Sequence, residues 1–459
     1  MSENNFSRRK FLAGAAAIGA AGAMGVGTLS SCTSGGGTSD AGASGVSYDW
    51  KPRDLNLPPL LQTAPEGKEI KVGVIGCGGR GSGAAMNFLD AGPGLSIIAL
   101  GDVFQDRIDS LKGKLKNRGN EVADEKCFVG FDAYEKVLDS GVDMVILATP
   151  PKFRPQQFEA AVKARKNVFM EKPVAVDPTG IRRVIAAAKM AEPQGLKIVT
   201  GTQRRHELSY INLMKEVNDK NGIGELISGA VYWNGGQLWY RTNQPSWTEI
   251  EWMIRDWVNW CWLSGDHIVE QHVHNLDVAH WFFDKMPQKA LGFGSRQRRV
   301  TGDQYDNFAI DFVYDDGRHL ISTCRQINGC TNGVYEIFQG TKAIATTVGH
   351  KPQIVDAAGN QVFLAQASET SPYVQEHIDL VTCIRKDIPV NEAERTALST
   401  MMAIMGRVSA YTGKEVTFEE MMNSDLKLGP DKYIMGNIGY TKTAEVPVPG
   451  AKAGPPRKS

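Results

Sequence analysis

Several stretches of this chain carry side chains whose types and spacing could do chemistry. The first is Gly76-Cys77-Gly78-Gly79-Arg80-Gly81, a G-x-G-x-x-G run directly after the apolar segment 71–75. In such a run Gly76 permits a tight turn and Gly78 lets the backbone approach a pyrophosphate. Gly81 lets the following helix pack close to the strand, and the helix N-terminus, with Gly79 and Arg80, faces the phosphates. Asp102 stands about 20 residues beyond the last glycine, where the ribose-binding acid of a dinucleotide site is expected. A carboxylate there accepts from ribose hydroxyls and repels a 2′-phosphate, so NAD is expected and NADP is disfavoured. A second stretch, Gly265-Asp266-His267-Ile268-Val269-Glu270-Gln271-His272-Val273-His274-Asn275-Leu276-Asp277, is rich in titratable groups. If it is helical, Glu270, His274 and Asp277 share one face at spacings of four and three. Histidine titrates near neutrality and suits proton transfer. His267, His272, His274 and Glu270 are also residue types that bind zinc, which leaves a metal reading open at this point.

These groups need elements to hold them. Segment 71–75 reads as a buried parallel strand, followed by a helix over 82–89 and a second strand over 95–100 that leads to Asp102. A strand over 142–148 ends in Thr149-Pro150-Pro151, and a helix over 156–165 follows. A short strand over 168–170 ends in Glu171-Lys172-Pro173. A helix over 178–190 and a strand over 197–201 complete a doubly wound α/β unit. After Gly201 the pattern changes to a helix over 209–218 and segments of alternating polarity at 226–233, 290–294, 307–314, 319–325, 333–339 and 342–348. Those predict a half-exposed antiparallel sheet. Helices are expected over 374–385 and 392–411.

In that order, G-x-G-x-x-G, Asp102, a strand ending in Thr149-Pro150 and Glu171-Lys172-Pro173 resemble the Gfo/Idh/MocA oxidoreductases, which include glucose–fructose oxidoreductase and inositol dehydrogenase. The resemblance covers nearly the whole chain after Lys68. It implies an N-terminal Rossmann domain (68–202) and an α+β domain with a large, open-faced, mainly antiparallel sheet (203–425) that supports oligomer contacts, with 426–459 as a C-terminal extension. It also implies that Thr149, Pro150 and Glu171 border the cofactor. Lys172 is implied to reach the nicotinamide pocket and contact the reacting hydroxyl, where an ammonium stabilises developing negative charge. The family's D-x-x-x-H-x-x-D register makes His274 the general base, with Glu270 in place of the usual Asp and Asp277 beside the imidazole or substrate. The family usually works without metal, so no metal is expected among the histidines. Where many members carry a His after Thr-Pro, this chain has Arg154, which is expected to occupy that space near substrate.

Trp233, Trp239, Tyr240, Trp252, Trp257, Trp260 and Trp262 cluster around the histidine-rich stretch in sequence. Sugar rings present C–H faces that stack on indole, so Trp239 or Tyr240 is expected to line a pocket while most of the others pack the core. Arg204, Arg205 and Arg241 are candidates for reading hydroxyls or a carboxylate, or for surface ion pairs. The reaction implied is hydride transfer between NAD and a secondary hydroxyl of a sugar, glycoside or cyclitol. The alternatives are a redox-neutral NAD-dependent glycosidase, working by oxidation, elimination and addition, and a non-catalytic sugar-binding lipoprotein.

The N-terminal segment 1–47 reads as an address. Arg8-Arg9 gives a twin-arginine pattern, an Ala/Gly-rich run over 11–29 follows, and Leu29-Ser30-Ser31-Cys32 resembles a lipobox. The expectation is export to the periplasm or cell envelope, with a lipid anchor on Cys32 and a Ser/Gly/Thr tether after it. An exported enzyme has no evident supply of free NAD, so a tightly held cofactor is expected. The chain has 51 Lys plus Arg and 51 Asp plus Glu, and this balance gives no field to draw nucleic acid. Its 7 Cys form no C-x-x-C pair, which suggests neither a zinc ribbon nor a disulfide framework.

Overall fold

The computed structural model describes residues 60–218, 220–430 and 432–450. The leader assigned to 1–47, with Cys32, lies outside the described residues. Among the described residues no helix is long and apolar enough to cross a membrane.

The first sheet is wholly parallel. Its strands are β1 (Ile70–Ile75), β2 (Leu95–Asp102), β3 (Cys127–Val129), β4 (Met144–Leu147), β5 (Asn167–Met170) and β6 (Ile198–Thr200), in the order β3-β2-β1-β4-β5-β6. Every β1 residue except Lys71 is buried, as a strand covered on both faces requires. Helices α1 (Gly79–Asp90), α2 (Gln105–Asn117), α3 (Ala133–Leu138), α4 (Arg154–Lys163) and α5 (Pro178–Ala191) make the crossovers. The strand order reverses between β1 and β4, which opens a crevice at their C-terminal ends. Asp177 starts α5 by accepting from the Gly180 amide, with Pro178 at the first helical position.

Helix α6 (Leu208–Asn218) leads into the second sheet, which contains β7 (Leu226–Gly235), β8 (Lys289–Ser295), β9 (Asn307–Val313), β10 (His319–Gln326), β11 (Gly333–Gly340), β12 (Ala343–Thr346), β13 (Gln353–Asp356), β14 (Gln361–Leu364) and β15 (Val416–Thr417). Their order is β14-β13-β12-β11-β7-β10-β9-β8-β15, antiparallel except where β7 runs parallel to β10. Burial alternates along β8, β9 and β10, so one face packs inward and the other stays open, as the sequence pattern predicts. The insertion between β7 and β8 holds α7 (Glu249–Arg255), α8 (His267–Glu270) and α9 (Val273–Phe283), and the chain continues through α10 (Pro372–Lys386) and α11 (Ala393–Thr412). Ile378, Leu380, Val381 and Cys383 of α10 pack into the core of the first domain beside Val72 and Ile97.

The single helix expected over the histidine-rich stretch is broken into α8 and α9. The His272 amide bonds back five residues to His267, and the His274 amide bonds back three to Gln271. Both side chains at the break are bonded to or beside β10. Gln271 Oε1 accepts from Gln326 Nε2 at 2.8 Å, and His272 Nε2 lies 2.8 Å from Ser322 Oγ. Tertiary hydrogen bonds thus override the local helical register here.

Candidate active site

The glycine run makes the turn that its spacing implies. Gly76 has φ +94°, and a Cβ there would come within 2.5 Å of the Thr149 amide nitrogen. A Cβ on Gly81 would lie 1.8 Å from the Gly76 carbonyl oxygen, so α1 can pack against the turn only with glycine at that position. Positions 78 and 79 are the reverse case. A Cβ on either would meet nothing within 4 Å, because these residues border a cleft of about 590 Å³. That volume lies within the range of small-molecule and cofactor sites. No side chain caps α1 at Gly78, which leaves its first N–H groups free for an anion.

Asp102, at the end of β2, lines the same cleft. Its Oδ2 accepts from the Cys77 amide at 2.7 Å and its Oδ1 from the Phe104 amide at 3.0 Å. Burial pushes its carboxyl above the usual range, against the pull of these amides and of Arg107. Arg80, Thr149 and Pro150 also line the cleft. A phosphate cradle that added Cβ atoms would enter, an uncapped helix start and a carboxylate at the ribose position together fit NAD.

Glu171 and Lys172 follow β5 but are not walls of this cleft. The Glu171 carboxylate is buried against Gly201, where a Cβ would come 2.6 Å from its Oε2. It is bonded to the Arg80 guanidinium and so holds a cleft residue rather than forming a wall itself. Lys172 Nζ donates to the Glu270 carbonyl at 2.6 Å and lies 3.3 Å from Glu270 Oε1. His274 is buried on α9 and stacks on Trp233 with ring centroids 5.7 Å apart. Among the described residues its imidazole has no hydrogen-bond partner. Burial holds it well below the usual histidine range, and the positive charges of Lys172, Arg204 and Arg80 add to that. The ring is therefore neutral near pH 7 and able to accept a proton.

Other expected residues have different roles. Arg154 is buried beneath the Glu171-Lys172-Pro173 turn, where Nη1 donates to the carbonyls of Glu171 at 3.1 Å and Pro173 at 2.6 Å. It shapes the turn that presents Lys172 and does not take the substrate-facing place expected of it. Asp277 lies on α9 with His274, but its carboxylate is engaged by other groups. Its carboxylate is buried in a fork with Arg205, at 2.7 Å from Nε and 3.1 Å from Nη2, and accepts from Ser399 Oγ at 2.7 Å. That pair accounts for Arg205, while Arg204 is spent on buried Glu336, 2.5 Å away. The α8–α9 break takes Glu270 off the helix that carries His274 and Asp277. Among the described residues no three His, Cys, Asp or Glu side chains gather as a metal ligand set. His267 faces Asp266 and His272 faces Ser322.

Trp239 and Tyr240 are about half exposed, and Trp239 borders the cleft. Both also line a shallower depression with Gln237, Leu238 and Asn328. Sequence reasoning missed Phe104, Arg107, Phe153, Arg255 and Tyr433 as cleft walls. Proximity to Asp102 could have flagged the first two, but no local pattern marks Tyr433.

Residues 70–196 match the model of an oxidoreductase family with an NAD-binding Rossmann fold, and residues 221–418 match the same family's C-terminal alpha/beta domain. The chain is 24% identical over 256 residues to inositol 2-dehydrogenase of Acidothermus cellulolyticus, covering 54% of this chain and 65% of that protein. It is 26% identical over 252 residues to the NAD(+)-dependent scyllo-inositol 2-dehydrogenase of Bacillus subtilis, with coverage of 54% and 65%. Both alignments therefore span somewhat less than two thirds of the relative. The apo scyllo-inositol dehydrogenase structure from Lactobacillus casei superposes with a TM-score of 0.56 at 21% identity, over 76% of this chain and 98% of the other. At that identity the likeness is one of fold.

Proposed function

Because the chain belongs to the Gfo/Idh/MocA oxidoreductase family, we propose that it transfers hydride between NAD and a secondary hydroxyl of a cyclitol or sugar. The observation that carries this reading is the meeting of Lys172, Glu270 and neutral His274 beyond the end of β5, next to a cleft suited to a dinucleotide. Gly76, Gly78, Gly79 and Asp102 would hold the cofactor, which supplies the hydride acceptor. Lys172 presents an ammonium to the reacting oxygen and stabilises the charge that develops as the proton leaves. His274 accepts that proton, and its stacking on Trp233 fixes the ring plane. Glu270 steers Lys172 through its carbonyl and carboxylate together.

The test is hydride transfer by the purified protein with NAD and a panel of inositols, free sugars and glycosides, followed by NADH fluorescence and product mass. Oxidised product from any panel member supports the reading. Failure of the protein to bind NAD at all overturns it.

Two further elements complete the proposal. The 1–47 leader exports the protein by the twin-arginine route and leaves it lipid-anchored at Cys32, which membrane fractionation of Cys32→Ala tests. The open sheet face carries exposed Leu291, Phe293 and Ile321 and pairs with a second copy of the chain, which light scattering tests.

A further inference from the structure

Asp266 has a backbone conformation that a side chain resists. Its φ is +72° and its ψ 163°, a combination open to glycine and rare for any other residue. The residue lies at the entrance to α8, and its carbonyl accepts from the amides of Val269 at 3.0 Å and Glu270 at 2.8 Å. Asp266 therefore sets the place of Glu270, and with it the carbonyl that Lys172 Nζ reaches.

A strained residue persists where its surroundings over-determine it. The Asp266 side chain is wholly buried. Its Oδ1 accepts from the His267 amide at 2.5 Å and its Oδ2 from the Tyr305 amide at 3.0 Å, and the Tyr411 hydroxyl also donates to Oδ2. Burial works against the carboxylate, but His267, Arg299 and Tyr411 outweigh it and hold its carboxyl below the usual range.

Tyr411 has a companion on its own helix. Arg407 stands one turn before it on α11, at the spacing that puts both side chains on one face. Arg407 is buried, and its Nη1 donates to two carbonyls, Gly265 at 2.9 Å and Val176 at 2.8 Å. Gly265 immediately precedes Asp266, and Val176 ends the buried run 173–176 that follows Lys172. One guanidinium thus bonds the Lys172 segment and the Glu270 segment at once, and the tyrosine beside it holds the strained residue at the start of α8. Neither Arg407 nor Tyr411 lines the cleft.

We propose that Arg407, Tyr411 and Asp266 are positioning residues for the reaction: one face of α11 holds the Lys172 turn and the start of α8 at the separation that keeps the lysine ammonium on Glu270. The proposal rests on the reading of Lys172 as the cation at the reacting oxygen. The three residues act through Lys172 and not on substrate. The lysine and its acceptor stand on separately built segments, so their contact is only as exact as the part that joins those segments. A small misplacement of a reacting group costs rate, while binding of the cofactor in its own cleft is left alone.

The test is a double-mutant cycle on the full-length protein, with the panel inositol or sugar that is oxidised fastest. Tyr411→Phe removes only the hydroxyl that holds Asp266. Its hydride-transfer rate at saturating NAD and substrate is expected to fall about 10-fold, with KM for NAD unchanged. In a Lys172→Met background the same substitution is expected to change the residual rate by less than about 2-fold, because the group it positions is gone. Lys172 supplies a second readout. Its labelling by acetic anhydride, followed by peptide mass spectrometry, is expected to be at least about 3-fold faster in Tyr411→Phe, while Lys163 on α4 labels at the same rate in both proteins. An equal loss of rate in both backgrounds, or unchanged Lys172 labelling, overturns the positioning role. Asp266→Asn removes the charge that the tyrosine holds, is carried through the same measurements, and decides the matter if Tyr411→Phe does not fold. Labelling that responds as expected in a protein that oxidises no panel member keeps the α11 hold on Lys172 and overturns the reading of the site.

Discussion

Lys172 and Glu270 stand 98 residues apart in the chain, yet the lysine ammonium donates to the glutamate's own main-chain carbonyl at 2.6 Å and lies 3.3 Å from its carboxylate. Two acceptors from one residue fix the position of one cation. The carbonyl half of that hold survives any change of the Glu270 side chain.

Replacing Lys172 with Met should therefore lower turnover by about 100- to 10,000-fold, the scale of a positioned charge or proton-transfer group. Glu270→Gln should cost much less, because the carbonyl contact persists. Cofactor binding should change little in either variant, since neither residue lines the cleft. Stopped-flow hydride transfer and NADH titration on the same preparations check this. A Lys172→Met enzyme with near-normal turnover would remove the lysine from the mechanism.

His274 should behave as a base that is already neutral. Burial, with Lys172, Arg204 and Arg80 nearby, holds it well below its ordinary value. Turnover is expected to stay level from about pH 6 to 8, with no half-point near that of a free histidine. His274→Ala should fall by about 100- to 10,000-fold across that range. A pH–rate profile with its midpoint near 6.5, abolished in His274→Ala, would contradict the neutral-base assignment.

Asp102 does two things in the cleft, since its carboxylate lines the space proposed for the dinucleotide and also holds the Cys77 amide at 2.7 Å. Asp102→Ala should weaken NAD binding by about 10- to 100-fold, the scale of charge-assisted hydrogen bonds, and relax the discrimination against NADP. Calorimetric titration of both cofactors measures each effect. Equal affinity for NAD and NADP in the unmodified protein would argue against the role given to this carboxylate.

His206 ties stability to pH. Its Nδ1 lies 2.6 Å from Asp379 Oδ2 and its Nε2 3.3 Å from Glu392 Oε1, with no exposed surface on the ring. Burial opposes the charge, but Glu392 and Asp379 outweigh it and raise the imidazole from 6.5 to about 10. A folded-state value above the unfolded one means that the stabilisation is complete below about pH 6.5 and is lost as pH rises toward 10. Urea unfolding should show stability declining across that window. His206→Gln should be less stable at pH 6 and flatter with pH. A slope unchanged by the substitution would place the titrating group elsewhere.

The dinucleotide half of the site was legible in the sequence because its physics is local. A positive φ at Gly76, the clash that any Cβ at Gly81 would make and the spacing to Asp102 are all set within about one β-α-β unit. The alternation along β8 to β10 likewise foretold an open sheet face, since the strand period needs only near neighbours. What the sequence could not decide depends on which distant groups arrive beside a residue. A helical wheel put Glu270, His274 and Asp277 on one face. In the fold, contacts from Gln271 and His272 to β10 break the helix, and Arg205 and Ser399 take up the Asp277 carboxylate. Arg154 followed Thr-Pro in a place that suggested substrate, yet the carbonyls of Glu171 and Pro173 claim its guanidinium. Tyr433 had no motif at all. It became a cleft wall where the Leu428 amide bonds Asp177 and the Ile438 amide bonds Glu249, both more than 150 residues from it in sequence, and where its ring meets Phe153 and Trp262. Backbone sterics are written in a few neighbouring residues. The partner of a buried charge or ring is chosen by packing, and only the tertiary structure decides it.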